Sequence, residues 1–164
     1  MRRTLTKRLG SRRGNAMIEF ALASLILIPL FLGAFQFGYT FYVYNLLCSQ
    51  IRAAARYGSI RAFYAADSAK YYTAVKNVVL YGNAAGTGTL IEPGMTASNI
   101  EVLLLGSNGA AASSTNIPVN LTVRTASGNN AYKVNAAVTS FSFTGKPYLT
   151  IPYTGQFAPS GNEP

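Results

Sequence analysis

Hydrophobic and polar positions along the chain fall into two regimes. From Phe20 to Phe37 the sequence reads FALASLILIPLFLGAFQF, in which Ser24 and Gln36 are polar and no residue is charged. Eighteen helical residues reach about 27 Å, close to a hydrocarbon core of about 30 Å. Eleven of the eighteen are Leu, Ile or Phe. Such residues favour insertion by roughly 0.3 to 0.6 kcal/mol each, which sums to about 3 to 7 kcal/mol. Beyond Gly38 the run becomes aromatic and then amphipathic. Leu46, Leu47, Ile51, Ala54 and Ala55 form a helical apolar stripe, with Gln50, Arg52 and Arg56 off it. Gly58 is the expected stop. One helix from Asn15 to Tyr57 would be about 65 Å long, twice the bilayer thickness, so half would span and half would project.

The remainder predicts a small α+β head on the projecting half: a small antiparallel sheet of three or four strands and one further helix. That helix is expected from about Ala66 to Tyr81, capped by Asp67 or Ser68, ended by Gly82, and apolar along Tyr71, Val75, Val78 and Val79. A loop over Asn83–Thr89 follows. Ile100, Val102 and Leu104 alternate, although Leu103 and Leu105 make both faces apolar. Ile117, Val119, Leu121 and Val123 alternate with polar or proline positions, with Pro118 at an edge or a strand start. Ser127–Asn130 reads as a turn, and Tyr132–Phe143 as the antiparallel partner of the strand before it. Lys146–Tyr153 predicts a short strand broken by Pro147 and Pro152. Gly106–Thr115 is expected to be a surface loop, and Ala158–Pro164 a disordered tail.

Charge sharpens this picture. The chain carries 14 Lys+Arg against 5 Asp+Glu, a net +9. Arg2, Arg3, Lys7, Arg8, Arg12 and Arg13 all precede Gly14, and the body beyond is near +3. A basic flank beside an apolar span predicts an N-terminus in the cytoplasm and the body outside. No nucleic-acid motif or basic face in the body supports a nucleic-acid partner. An ordinary cleaved signal peptide is disfavoured, because the apolar stretch is long and aromatics stand where a cleavage site should lie. With no His and one cysteine, Cys48, no zinc constellation and no internal disulfide is available. Cys48 is expected to be a packing residue, and no cofactor or metal is expected.

One position resists this account. Glu19 stands at the edge of the run, where a charge is tolerated but nothing in the transfer energies asks for it. The stretch Gly14-Asn15-Ala16-Met17-Ile18-Glu19-Phe20 resembles the processing site of type IV pilin-like proteins. More narrowly, it resembles the TadE-like pseudopilins of tight-adherence (Flp, type IVc) pilus systems. The likeness continues through Phe35-Gln36-Phe37-Gly38-Tyr39 and Phe41-Tyr42-Val43-Tyr44, and ends with Arg52-Ala53-Ala54-Ala55-Arg56-Tyr57-Gly58. Gln36 stands where that family usually has glutamate. The resemblance implies a leader, residues 1–14, removed by a prepilin peptidase that cuts between Gly14 and Asn15. A glycine would let the backbone open into an extended, accessible form there.

The residue pattern divides the chain after the leader into a transmembrane and stalk helix over 15–58, a head over 59–157 and a flexible tail over 158–164. Under the resemblance Glu19, Phe20 and Pro29 become the assembly residues. The new amine of Asn15 in one subunit would meet Glu19 of its neighbour and set axial register. Pro29 would supply a bend or local melting, and Gly33 a close helix contact. Implied partners are the peptidase, other pilin subunits through the N-terminal helix, the inner-membrane assembly platform and membrane lipid. The implied location is the bacterial inner membrane as a single span, with the head periplasmic or extracellular and a place in the pilus itself open. Major subunits of this class are generally much shorter, so a minor pilin or pseudopilin serving surface attachment is expected.

Two alternatives stay open. One is a single-span adhesin or scaffold that never polymerises. The other is an anchored enzyme, disfavoured because the outer body offers only Asp67, Glu92, Glu101 and Glu163 as acids, none close to another in sequence.

Overall fold

The computed structural model describes residues 11–135 and 139–160; the side chains of residues 11–13 are not described. Helix α1 covers Ser11–Ile60, about 75 Å at the usual rise. The head follows: β1 (Phe63–Tyr64), a short 3-10 turn, α2 (Ser68–Tyr81), β2 (Ile100–Gly106), β3 (Pro118–Thr125), β4 (Tyr132–Asn135), β5 (Ser140–Phe143), β6 (Tyr148–Pro152) and β7 (Phe157–Ala158). This is an α+β fold, with a long apolar helix and a second helix packed on antiparallel sheet.

Packing splits α1 into two lengths. Up to Phe35 its large apolar side chains stand open to the surroundings, and the first buried side chain along the described helix is Gln36. From there Val43, Leu47, Ile51, Ala54 and Ala55 turn inward and are fully buried. Their three- and four-residue spacing keeps them on one face. Against that face lie α2, through Tyr71, Val75, Val78 and Val79, and the three-stranded antiparallel sheet β2-β3-β6. In this sheet the buried cross-strand pairs Leu104–Leu121 and Val102–Val123 continue into Ile151 and Leu149 of β6. Gly82 ends α2 as expected, in the left-handed conformation (φ 74°), with its N–H donating to the Val78 carbonyl.

Four expectations change. Gly58 does not stop α1. The helix runs on to Ile60, and Gly58 is buried inside it, beneath Leu121, Val75 and Tyr71. Close packing, not a turn, is what requires a glycine here. Tyr132–Phe143 is not one strand paired to β3; it folds on itself as the β4–β5 hairpin, pairing Tyr132 with Phe143 and Val134 with Phe141. The place beside β3 is taken by β6 despite its flanking prolines. Pro147 precedes the strand and Pro152 is its last residue, so no ladder donor is lost from its middle. The tail is not wholly loose either. Phe157–Ala158 pairs in parallel with Phe63–Tyr64, and the rings of Phe157 and Phe63 stack. Residues 161–164 lie outside the described residues.

Candidate functional site: an open apolar helix joined to a head

Gly14, Asn15 and Glu19 are all exposed on α1. Gly14 is helical, not extended as expected for a protease site, and an added Cβ there would meet nothing within 4 Å. Cleavage after Gly14 would therefore require the first turns of the helix to open. Asn15 and Glu19 are four residues apart, so they share one helix face about 6 Å apart along the axis. Among the described residues Glu19 has no ion-pair partner. An intramolecular pair does not account for it.

The segment that follows presents apolar surface on every side. Phe20 is 71% exposed, Ile26 75% and Phe31 68%. None of the most apolar eighteen-residue window is buried by the rest of the chain. A helix that is apolar all round needs a surrounding medium or partner of the same character. Pro29 lies within α1, which carries through it as one helix; its ring removes the donor for the Leu25 carbonyl. Gly33, one turn later, has open space where a Cβ would stand. Pro29 and Gly33 thus form a small, unpartnered notch on the open length.

Gln36 marks the junction. Its Nε2 donates to the Thr139 carbonyl at 2.8 Å, and the side chain is only 3% exposed. Beyond that bond, toward the head, the hairpin lies against the helix: Phe141 meets Phe37 and Phe143 meets Tyr44, with ring centroids 6.0 Å and 5.8 Å apart. The polar residue in the apolar run is therefore a clamp between span and head.

Sequence reasoning missed Glu92. It is 5% exposed, and Tyr132 Oη stands 3.0 Å from its Oε1 and 3.0 Å from the Pro93 carbonyl. This holds the foot of the hairpin to the loop that follows α2. Burial, and then the Glu92 carboxylate, push the Tyr132 phenol far above its ordinary range. Tyr71 Oη donates to the Gly58 carbonyl at 2.6 Å, and burial raises its phenol as well, with the Tyr153 ring adding to the effect. The other acids are also engaged. Glu101 pairs with Arg124 across β2 and β3 at 2.8 Å, and Asp67 pairs with Lys70 at 3.4 Å; Glu163 lies outside the described residues. Cys48 is a half-buried free thiol on α1. Among the described residues no cluster of His, Cys, Asp and Glu suits a metal ion.

Comparison with known proteins bears on one part of the molecule. Residues 14–56 match the family model of TadE-like proteins. The matched segment starts at Gly14 and runs through the open helix to the arginines of the stalk, so the resemblance read from Gly14 to Gly58 stands. No curated protein and no solved structure matches the chain.

Proposed function

We propose, with the TadE-like segment as premise, that the chain is a minor pilin or pseudopilin of a tight-adherence (type IVc) pilus used for surface attachment. The observation that carries this reading is an apolar helix, open on all sides over Gly14–Phe35 and continuous with a folded head. Those 22 residues extend about 33 Å, enough to cross a hydrocarbon core of about 30 Å. The basic residues before Gly14 put the N-terminus in the cytoplasm and the head outside the inner membrane. The head carries no catalytic role in this reading.

The chemistry concerns Glu19. It lies sixteen residues before Phe35, about 24 Å along the helix. With Phe35 at the outer boundary, Glu19 falls several ångströms inside the inner one. Removal of the leader by a prepilin peptidase after Gly14 frees an amine on Asn15. In a bundle that amine meets the Glu19 carboxylate of the adjoining subunit. A charge pair in so poorly hydrated a layer adds little net stability. A mismatched stagger, however, leaves a buried charge alone, at roughly 3 to 5 kcal/mol. The pair therefore selects the axial register. Phe20 packs beside it, and the Pro29–Gly33 notch admits a neighbouring helix.

The N-terminal mass of the protein from its native host tests this. A chain beginning at Asn15 is expected. A chain that keeps the residues before Asn15, yet sits stably in the membrane, would favour a single-span adhesin or scaffold that does not polymerise.

A further inference from the structure

We propose that the β4–β5 hairpin is a second, peripheral membrane contact, with Phe141 seated in the outer interfacial layer of the bilayer that α1 crosses. The inference rests on reading Gly14–Phe35 as a span; it adds the depth and orientation of the head.

The hairpin comes down the side of α1 toward the open segment. Phe143 is level with Tyr44, Phe141 with Phe37, and the Thr139 carbonyl with Gln36. The ladder of progressively lower contacts ends one residue from where the exposed apolar helix begins. Between helix and hairpin lies a groove of about 270 Å³, lined by Phe37, Thr40, Phe41, Tyr44, Phe141 and Phe143. The Thr40 hydroxyl donates to the Gln36 carbonyl at 2.8 Å, so it is turned to its own helix. The groove is thus an aromatic surface with little to offer a polar ligand. Phe37 is 58% exposed and Phe41 65%.

Depth selects the occupant. Counted from Phe35, Phe37 stands about 3 Å and Phe41 about 9 Å further along the axis. The polar layer of a bilayer is about 5 to 8 Å thick on each side. Phe37 and, opposite it, Phe141 therefore fall at headgroup level, where amphipathic and aromatic rings concentrate, and Phe41 stands just past its outer limit. Phe143, level with Tyr44 about 13 Å out, lies beyond that layer, on the water side. Lys133 is exposed on β4 and pairs in register with Ser142, between the two phenylalanines. Its ammonium is placed to meet lipid phosphate from the other face of the hairpin. The patch is also continuous with the open apolar helix, so whatever medium surrounds Phe35 reaches the groove without interruption.

The chain has no tryptophan, so single replacements report cleanly. Phe141→Trp, Leu27→Trp and Ile60→Trp would each be made in the full chain and reconstituted at low protein density in phosphatidylcholine vesicles. The vesicles would carry a nitroxide at the headgroup, high on the acyl chain or deep on it. Ile60 is 72% exposed and lies about 37 Å beyond Phe35. The hairpin indole of Phe141→Trp should lose emission most to the headgroup and shallow labels. The span indole of Leu27→Trp should lose most to the deep label, and the distal indole of Ile60→Trp should lose none to any label. If the span indole is not quenched by the deep label, the span reading has failed. If it is quenched while the hairpin indole behaves like the distal one and stays open to aqueous iodide, the hairpin faces water and this inference is overturned. It is overturned equally if the hairpin indole is shielded from both label and iodide only as protein density rises, because a second copy then fills the groove.

Discussion

Gly58 offers the sharpest test of how stalk and head are joined. An ideal Cβ at this position would stand 2.7 Å from Leu121 Cδ2, 3.0 Å from Val75 Cγ2 and 3.1 Å from Tyr71 Oη. Leu121 and Val75 are fully buried and Tyr71 is 2% exposed, so none of the three can swing into solvent. Two opposing effects set the result for Gly58→Ala. Helix propensity favours alanine over glycine by about 1 kcal/mol, while overfilling a tight core costs about 1 to 3 kcal/mol. The second should win by about 1 kcal/mol, and Gly58→Val should lose about 3 kcal/mol, since the added methyls meet the same wall. Gly38 is the control: it lies in the same helix, is not buried, and has nothing within 4 Å of its would-be Cβ. Gly38→Ala should gain up to about 1 kcal/mol. Urea unfolding of the full chain in detergent micelles, followed by tyrosine circular dichroism, gives all three values. If Gly58→Ala stabilises as much as Gly38→Ala, the close packing of β3 and α2 onto the stalk is wrong.

Three further outcomes are expected. Glu19→Ala should leave membrane insertion intact, since removing a charge only eases transfer, but should sharply reduce filament numbers counted by electron microscopy; normal numbers would refute the register role. Neutral Tyr71 is favoured in the folded state, whereas the unfolded phenol ionises near 10. Stability should therefore be full below pH about 10 and fall above it, by up to about 1.4 kcal/mol per pH unit for this group. Tyr71→Phe should flatten that fall in denaturation midpoints measured between about pH 9 and 11, a range set by the ordinary phenol value. Tyr132→Phe removes one of the two phenols, Tyr132 and Tyr39, that face the buried Glu92 and should cost about 1 to 3 kcal/mol. Amide exchange should then rise in β4 and β5 before it rises in β2 and β3, and a uniform rise would refute the clamp.

The elements that were legible in the sequence are those whose period is written in one face. The stalk stripe through Leu47, Ile51, Ala54 and Ala55, the α2 stripe through Tyr71, Val75, Val78 and Val79, and Ile100, Val102 and Leu104 of β2 with Leu121 and Val123 of β3 all turn up buried, whereas Ile117 and Val119, read as part of the same alternation, are exposed. Partnering was less legible. A run such as Tyr132–Phe143 has strand character throughout, yet its residues cannot state whether they pair with β3 or with each other. A short strand was expected over Lys146–Tyr153, but broken by its prolines; it forms unbroken and completes the sheet, because only an interior proline breaks a ladder. Gly58 had the chemistry of a stop and the role of a contact, and only the neighbours of its absent Cβ distinguish the two. In the candidate site, Gly14, Glu19 and Pro29, all three on the exposed length of α1, were singled out through the family resemblance. The clamp at Gln36 and the carboxylate of Glu92 were not, because their partners lie 103 and 40 residues away.

The small parallel pairing of β1 with β7 has a practical meaning for anyone who wants to watch this molecule. Phe63 N–H donates to the Gln156 carbonyl at 2.8 Å, and Thr154 N–H to the Ser59 carbonyl at 2.9 Å, which pins the end of the described chain to the pole opposite the lipid-compatible helix. A fluorophore attached at the exposed Ser160 would ride at that far pole, clear of the Gly14–Phe35 surface. In the proposed pilin reading, labelling from that side should leave polymerisation untouched, whereas a label placed before Gly14 would be removed with the leader.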